Sequence, residues 1–366
     1  MDSLLAHPHA HAILGPVVDG KATASHAYLF HGPAGCGRSE VAEDLATALL
    51  SRGTERTDTA TRVAGRTHPD LMWIKPEGAN GEILVDDIRS LVSAVPMTPF
   101  ESQCRIFVVE GADRMNDSSA NAFLKTLEEP PGHAHLILIA QATTTVLPTI
   151  LSRCQSVRFE PPTVESLAAR LQRAGTSPDL ALECARISGG DGARALMLTS
   201  PEGPALRGAG ETLAKAALSG GAATARPWLE IIKTAGQLGK AAGLEVEAAA
   251  ALRLEFAGKS EKKRMEKDAT DRGKRASRRA ESAAADLALF VAEAWLRDVH
   301  RAALGATELL PPSQAAQLTA EGANVRPSDL REAIERIERT RRALKLNVNR
   351  ELAIESLAHE LDGVLA

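Results

Sequence analysis

A glycine-rich segment near the start of the chain has the residue types needed to hold phosphate groups. The segment Gly32-Pro33-Ala34-Gly35-Cys36-Gly37-Arg38-Ser39 follows an apolar run and precedes a stretch of helical character. Gly32, Gly35 and Gly37 let backbone N–H groups curl around an anion, and the next helix adds its positive dipole end. Ser39 stands where a hydroxyl ligand to magnesium is expected. The pattern predicts a phosphate loop, retained either to bind nucleotide or only for its place in the fold.

Two departures from the usual pattern predict that this loop does not hydrolyse nucleotide. Arg38 replaces the compact lysine of such loops with a longer, planar guanidinium. Glu110 ends an apolar run where an aspartate usually holds magnesium, and Gly111 stands where an acid usually orients the attacking water. The cofactor that this degenerate site predicts is ATP or ADP with magnesium, bound without independent turnover.

Arg153 is the second candidate for chemistry. It lies in Leu147-Pro148-Thr149-Ile150-Leu151-Ser152-Arg153-Cys154, where a short helix beginning near Pro148 would present it at the edge of a strand. Taken alone, the segment fits a structural arginine paired with a carbonyl at the end of the sheet.

Other polar clusters predict no site. Glu128 and Glu129 are adjacent on a helix and do not face each other, so they predict a helix end before Pro130. The alternating histidines His7, His9 and His11 fit a flexible N-terminal segment. Four scattered cysteines, with no CxxC pair and no histidine at zinc-finger spacing, predict neither zinc nor a disulfide framework.

Composition limits the possible classes. With 366 residues, the chain predicts two or three domains, and 44% hydrophobic with 25% charged residues is a globular mix. The formal net charge of −4 excludes a globally basic nucleic-acid binder but not a local basic patch. No apolar run approaches the roughly 20 residues needed to cross a bilayer, and no secretory signal is present, so a cytoplasmic protein without membrane association is expected.

The first 160 residues alternate short apolar runs with amphipathic stretches, which predicts an α/β fold with a parallel sheet. The predicted strands are Ala27 to Phe30, Leu71 to Ile74, Arg105 to Val109, Leu136 to Ala140 and Val157 to Phe159. Predicted helices between them include Val85 to Val92 and Ala120 to Leu127, the latter stopped by Pro130-Pro131.

The rest of the chain predicts only helices. Two short ones, Thr163 to Ala174 and Pro178 to Ser188, precede a Gly/Pro-rich join near Ser200 to Gly210. Longer helices follow at Glu281 to Ala303, Leu330 to Leu346 and Glu351 to Leu365. The predicted domains are therefore 1–160, 161–204 and 205–366.

A charged segment from Lys259 to Glu281 differs from its surroundings. It contains ten basic and five acidic residues, and only Met265 and alanines to bury. Two interpretations remain open: a solvated helix or disordered excursion, and a phosphate-attracting arm.

Several motifs resemble a known family. The run from His26 through the phosphate loop resembles AAA+ ATPase modules. Phe123-Leu124-Lys125-Thr126-Leu127-Glu128-Glu129-Pro130-Pro131, followed by Ser152-Arg153-Cys154, is similar to sliding-clamp loaders. Gly-Arg-Ser in the loop, Glu-Gly after the third strand and the absence of zinc cysteines are similar to the delta prime branch of the DNA polymerase III clamp loader. The C-terminal run from Leu346 to Leu352 is similar to the last helix of that family's collar.

The resemblance implies an AAA+ core, a small helical lid and an all-helical collar for oligomerisation. It implies that Arg153 reaches in trans toward the γ-phosphate of ATP on a neighbouring subunit, with Ser152 and Cys154 setting its position. It gives Gln141 the place of the first nucleotide sensor and Arg194 the place of the second, although Arg194 equally fits an ordinary lid arginine. The implied partners are gamma/tau and delta subunits, the sliding clamp and primer-template DNA.

Two alternatives stay open at this point. In the first, Arg38 substitutes adequately for lysine and the chain is an ATP-hydrolysing motor subunit of the gamma/tau type. In the second, the chain is a DNA-binding adaptor that acts through the basic segment Lys259 to Glu281.

Overall fold

A computed structural model describes residues 4, 7–52, 56–76, 83, 85–254, 259–344 and 348–365. The chain forms two compact units, Met1–Ala195 and Leu196–Ala366. The finer boundaries expected at 160/161 and 204/205 stay predictions.

The first unit is built on a five-stranded parallel sheet. Its strands are β1 (Ala27–His31), β2 (Leu71–Ile74), β3 (Arg105–Glu110), β4 (Ala134–Ala140) and β5 (Gln155–Arg158). Their order across the sheet is β2-β3-β4-β1-β5, so β1 lies between β4 and β5. The α/β fold with a parallel sheet that the sequence predicts is confirmed, although the last strand begins two residues earlier than predicted and ends before Phe159.

Helices cover both faces of this sheet, as parallel strands require. Successive residues of β1 alternate between two cores: Tyr28 and Phe30 pack on one face, and Ala27 and Leu29 on the other. In chain order the helices of this unit are α1 (Pro8–Val18), α2 (Arg38–Leu50), α3 (Arg56–Ala64), α4 (Val85–Ala94), α5 (Asp117–Glu128), α6 (Pro148–Leu151), α7 (Val164–Arg173), α8 (Pro178–Ile187) and the start of α9 (Gly192–Thr199).

The second unit is helical throughout its described residues. Its helices are α10 (Gly203–Leu218), α11 (Ala222–Ala225), α12 (Trp228–Leu254), α13 (Lys259–Ala303), α14 (Ala315–Gly322), α15 (Pro327–Leu344) and α16 (Arg350–Leu365). The absence of strands after residue 160, expected from the sequence, holds for the described part of the chain. No described helix is long and apolar enough to cross a membrane.

The predicted extent of the Gly/Pro-rich join was wrong. The Gly/Pro-rich join extends only to Glu202, because α10 begins at Gly203 with Pro204 in its first turn, where a proline is tolerated. A Cβ on Gly210 would lie 2.3 Å from the Ala288 carbonyl oxygen, so this glycine lets two helices approach closely.

The charged segment from Lys259 to Glu281 is helical, and it is continuous with the helix predicted after it. It forms the first half of α13, so the helix predicted from Glu281 begins 22 residues earlier. Residues 346 and 347, which begin the C-terminal motif, lie outside the described residues; the helix after that motif is α16.

Candidate functional site

The phosphate loop follows β1 and leads into α2, in the arrangement that its sequence predicts. Gly35 and Gly37 have φ angles of 72° and 88°, in the left-handed region that favours glycine. Gly32 is required for space, because a Cβ there would lie 2.4 Å from the carbonyl oxygen of Phe159. The loop and the N-terminus of α2 supply backbone N–H groups suited to an anion.

The guanidinium of Arg38 is directed into the protein. Its Nη1 donates a hydrogen bond to the carbonyl oxygen of Ala140, the last residue of β4. Gln141, to which the resemblance gives the place of the first sensor, comes directly after this carbonyl and is exposed. Arg38 therefore attaches the phosphate loop to the central sheet. A lysine is shorter and has no planar guanidinium, so it would not make this contact in the same way.

Glu110 takes part in a network that uses both of its carboxylate oxygens. Oε1 accepts a hydrogen bond from the Ser39 hydroxyl at 3.0 Å, and Oε2 accepts one from the indole Nε1 of Trp73 at 3.1 Å. The Lys75 ammonium lies 3.6 Å from Oε2. The two side chains expected to serve magnesium thus contact each other, and a lysine supplies a positive charge beside the carboxylate.

Gly111 has a structural role besides lacking a carboxylate. Its φ is 77°, and a Cβ at this position would lie 2.7 Å from Cγ of Pro76. It immediately precedes a short 3-10 helix, Ala112–Arg114, that contains Asp113. The backbone here is shaped for glycine, so a water-orienting acid cannot be restored at this position without strain.

The segment that starts α9 lies against the phosphate loop. The Gly192 N–H donates to the carbonyl oxygen of Gly35 at 3.0 Å, and a Cβ on Gly35 would lie 2.0 Å from Asp191 Oδ1. Asp191 caps α9 by accepting from the N–H groups of Ala193 and Arg194. A carboxylate beside the loop opposes the binding of a triphosphate by like-charge repulsion.

Two arginines, one on α7 and one on α9, lie in the same region as this carboxylate. Arg194 Nε lies 3.7 Å from Asp191 Oδ2, so the predicted second sensor has a carboxylate of its own chain beside it. Arg170 donates to Glu40, in the first turn of α2, at 2.7 Å. Arg194 thus contacts Asp191, which lies beside the loop, and its place as a second sensor stays a prediction. The motifs did not indicate Arg170, Glu40 or Asp191.

His7 is packed against the same loop, contrary to the expectation of a flexible N-terminal segment. It is 4% exposed, and its ring meets that of Phe159 edge-on at 5.0 Å. Its Nε2 would lie 3.2 Å from a Cβ on Gly37. The His7 ring is therefore packed between residues of the N-terminal region, the phosphate loop and Phe159, and is largely excluded from solvent.

The buried position of His7 predicts a dependence of stability on pH. Burial lowers the pKa of His7 below its ordinary value, opposed in part by Glu40. The unfolded chain therefore binds more protons than the folded one below about pH 6.5, so the free energy of unfolding falls as the pH drops through this range. Burial also lowers the pKa of His31, His68 and His135, so these histidines likewise make the free energy of unfolding fall as the pH drops.

We expect the loss of stability between about pH 7.5 and 5.5 to be smaller in His7→Gln than in the native chain, because glutamine does not titrate there. Urea denaturation at both pH values measures it. An equal loss in both proteins would show that His7 does not contribute.

Arg153 lies between α6 and β5, held by three groups of its own chain. Its Nη1 donates to the Thr149 carbonyl oxygen at 2.9 Å and to the Ser152 hydroxyl at 3.2 Å. Its Nη2 pairs with Glu128, the last residue of α5. The side chain remains 34% exposed, so the guanidinium is oriented and still accessible. Glu128 therefore does more than end a helix, which adjacent-residue reasoning missed.

The two neighbours of Arg153 also have defined surroundings. The Ser152 hydroxyl donates to the Thr149 carbonyl oxygen at 3.1 Å and accepts from Arg153. Cys154 packs against the apolar core on one face of the sheet, where burial raises the pKa of its thiol to about 12. A thiol in this state is an apolar anchor and not a nucleophile.

The phosphate loop and Arg153 lie at opposite ends of the parallel strands. The loop follows the carboxyl end of β1, whereas Arg153 precedes the amino end of β5. In the register of these parallel strands Tyr28 is level with Gln155 and His31 with Arg158. Three strand residues span about 10 Å, so Arg153 cannot reach a phosphate in the loop of its own chain.

The metal-binding capacity of the site is limited. Within the part of the chain that the structure describes, no group of three or more His, Cys, Asp or Glu side chains is arranged to hold a metal ion. All four cysteines are free thiols. Ser39 and Glu110, which carry oxygen groups of the kind that magnesium prefers, are already hydrogen-bonded to each other.

Comparisons with known proteins point to one family. A family model described as DNA polymerase III, delta subunit matches residues 19–163. The DNA polymerase III subunit delta prime of Pseudomonas aeruginosa is 40% identical over 141 residues, which cover 37% of this chain and 43% of the relative. That of Bacillus subtilis is 34% identical over 162 residues, which cover 43% and 49%. The Bacillus subtilis tau subunit is 30% identical over 165 residues, which cover 43% and 29%.

The matched region contains both the phosphate loop and Arg153. It spans less than half the length of either delta prime relative, so the similarity concerns the α/β core. Over this core, the resemblance to the clamp-loader delta prime family that the sequence indicated is confirmed.

Proposed function

We infer that this chain, whose α/β core is similar to that of DNA polymerase III delta prime subunits, serves as a subunit of a clamp loader that lends an arginine to a neighbour. The observation that supports this most strongly is the separation of Arg153 from the chain's own phosphate loop. Arg153 is held at the end of the strands opposite to the loop, is oriented by three partners and is 34% exposed. An arginine in this position is suited to act on a phosphate of another subunit.

The chemistry is charge neutralisation. During transfer of a γ-phosphoryl group, negative charge spreads over its oxygens, and a guanidinium placed beside them stabilises the transition state. The Thr149 carbonyl and the Ser152 hydroxyl fix Nη1, so Nη2 is the nitrogen whose partner can change. On docking, a phosphate oxygen would replace the Glu128 carboxylate at Nη2, one anionic acceptor for another.

The chain's own loop has a structural or binding role without turnover. Its backbone can hold the phosphates of ATP or ADP, but Arg38 is committed to the Ala140 carbonyl and Glu110 to Ser39 and Trp73. At Gly111 no acid is available to orient water. These contacts favour a non-hydrolysing subunit over a gamma/tau-type motor.

The partners proposed for this chain follow from the family. They are gamma/tau-type and delta-type subunits in a ring-shaped assembly in the cytoplasm, which places a sliding clamp on primer-template DNA. The helical region from 205 onward is the proposed collar through which the chain joins this assembly.

Assembly gives a direct test of the family role. Co-expressed with the gamma/tau-type and delta-type subunits of its own source, the chain should co-purify in a stoichiometric complex that loads a clamp onto primed DNA. Size-exclusion chromatography with mass measurement reports it. A chain that stays outside a complex formed by the other subunits would contradict the proposal.

A further inference from the structure

The first half of α13 has a basic face with a defined direction. Lys267, Lys274 and Arg278 are exposed and are spaced by seven and four residues. At 100° per residue, these three positions fall within about 20° of one line along the helix. None of the three makes an ion pair within the described part of the chain. They form what we call the basic stripe.

Packing fixes the orientation of this stripe. Ala269 and Gly273 are buried on the opposite side of α13, where the helix lies against α12. A Cβ on Gly243 would lie 3.2 Å from the Gly273 carbonyl oxygen, so glycines at this contact bring the two backbones close together. Because small residues hold one side of α13 against α12, the stripe on the other side faces outward.

The surroundings of the stripe increase its positive potential. Between residues 266 and 281 the sequence has six Lys or Arg and four Asp or Glu residues. One of these acids, Glu281, pairs with Arg350 of α16 and is thereby neutralised locally. Glu266, Asp268 and Asp271 remain in this stretch of the sequence and lower the potential, but the six basic residues outnumber them.

The chemistry of this face indicates its class of partner. Protein interfaces usually have an apolar centre with aromatic or aliphatic side chains. None of the large exposed hydrophobic side chains in the described part of the chain lies between 266 and 281. A helix surface with a line of exposed cations and no large apolar side chain is suited to a repeated anion, and the phosphates of a nucleic-acid backbone provide one.

We propose that the basic stripe of Lys267, Lys274 and Arg278 binds the phosphate backbone of duplex DNA without reading its sequence. From Lys267 to Arg278 the helix extends about 17 Å, which corresponds to about five base pairs of a duplex. Each cation that neutralises a phosphate releases a condensed counterion, so binding depends steeply on salt. This contact goes beyond the proposed function and does not require Arg153 or a neighbouring subunit.

The test uses the full-length chain alone, so its outcome is independent of the proposed arginine transfer. Binding to a fluorescent duplex of about 30 base pairs is measured by anisotropy from about 50 to 200 mM salt. The test variant is K267Q/K274Q/R278Q. Its matched control, R331Q/R339Q/R342Q, makes the same charge change at exposed positions of α15. Glutamine keeps helix propensity in both variants.

Loss of the three phosphate contacts should reduce the slope of log affinity against log salt by about 2 to 3. Affinity at the lowest salt should fall at least about tenfold, while the control stays within about twofold of the native chain. Equal affinity and slope in the two variants, with both folded by circular dichroism, would overturn the proposal. Binding of polyglutamate as tight as that of duplex DNA would overturn it in favour of an acidic protein partner.

Discussion

Replacing Arg153 with alanine should lower ATP hydrolysis on the adjacent motor subunit by about 10³-fold or more, the usual contribution of an arginine supplied to a phosphoryl transfer. The reason is the loss of a guanidinium that its own chain already orients through Thr149 and Ser152. ATP binding should change much less, because the charge that Arg153 neutralises develops in the transition state. Single-turnover hydrolysis in the reconstituted, clamp- and DNA-stimulated assembly measures the effect at one interface.

A matched surface variant separates this effect from a loss of folding. Arg89 is also an exposed arginine paired with a carboxylate, Asp86, but it lies on α4, away from the α6–β5 junction. Arg89→Ala should leave the rate within about twofold of the native value, since surface ion pairs contribute little. A native rate in Arg153→Ala would remove the arginine from the chemistry.

Replacing Gly111 should destabilise the α/β core and should not create an ATPase. Alanine at a φ of 77° costs about 1 to 2 kcal/mol, and its Cβ would lie 2.7 Å from Pro76 Cγ, which adds about 1 to 3 kcal/mol. We therefore expect Gly111→Ala to lower the free energy of unfolding by about 2 to 5 kcal/mol. Gly111→Glu should be destabilised as well and should show no ATP turnover in combination with Arg38→Lys.

Urea denaturation of each variant measures the change in stability, with Gly132→Ala as control. Gly132 is exposed and a Cβ there meets nothing within 4 Å, so this substitution should cost no more than about 0.5 kcal/mol. If Gly111→Ala were as stable as the control, the backbone at this position would not be what prevents an acid there. Brisk turnover in the combined variant would show that only two side chains separate this chain from a motor subunit.

The core of the first unit was predictable because each of its signals is local. The alternation of short apolar runs with amphipathic stretches predicted all five strands, and Pro130-Pro131 predicted the end of α5. The phosphate loop was recognisable because its glycines are required by backbone geometry, at positions that the sequence shows directly.

The connections that define the site could not be predicted, because they join residues far apart in the chain. Nothing near Arg38 indicates that its guanidinium bonds a carbonyl 102 positions later, or that Glu128 pairs with Arg153 across 25 positions. His7 was misplaced for the same reason: its burial depends on Phe159. The geometry of adjacent helix residues correctly excluded Glu128 and Glu129 as a pair of cooperating carboxylates. It could not show that Glu128 pairs with Arg153.

The charged segment shows how packing overrides composition. Its charge favoured a solvated helix or a disordered excursion, and the structure has a helix with a charged exposed side. Ala269 and Gly273 provide a narrow buried side at helical spacing. That side is sufficient because α12 supplies Gly243 at the contact, which no local pattern in α13 reveals.

The central claim is that this chain contributes an arginine to a neighbour's ATP while its own phosphate loop contributes no hydrolysis. Single-turnover ATP hydrolysis by the same reconstituted assembly, with Arg153→Ala in one preparation and Ser39→Ala in another, tests both halves together. We predict loss of hydrolysis at one interface in Arg153→Ala and a native rate in Ser39→Ala, where only the hydrogen bond to Glu110 is lost. A native rate in Arg153→Ala with a reduced rate in Ser39→Ala would contradict the account.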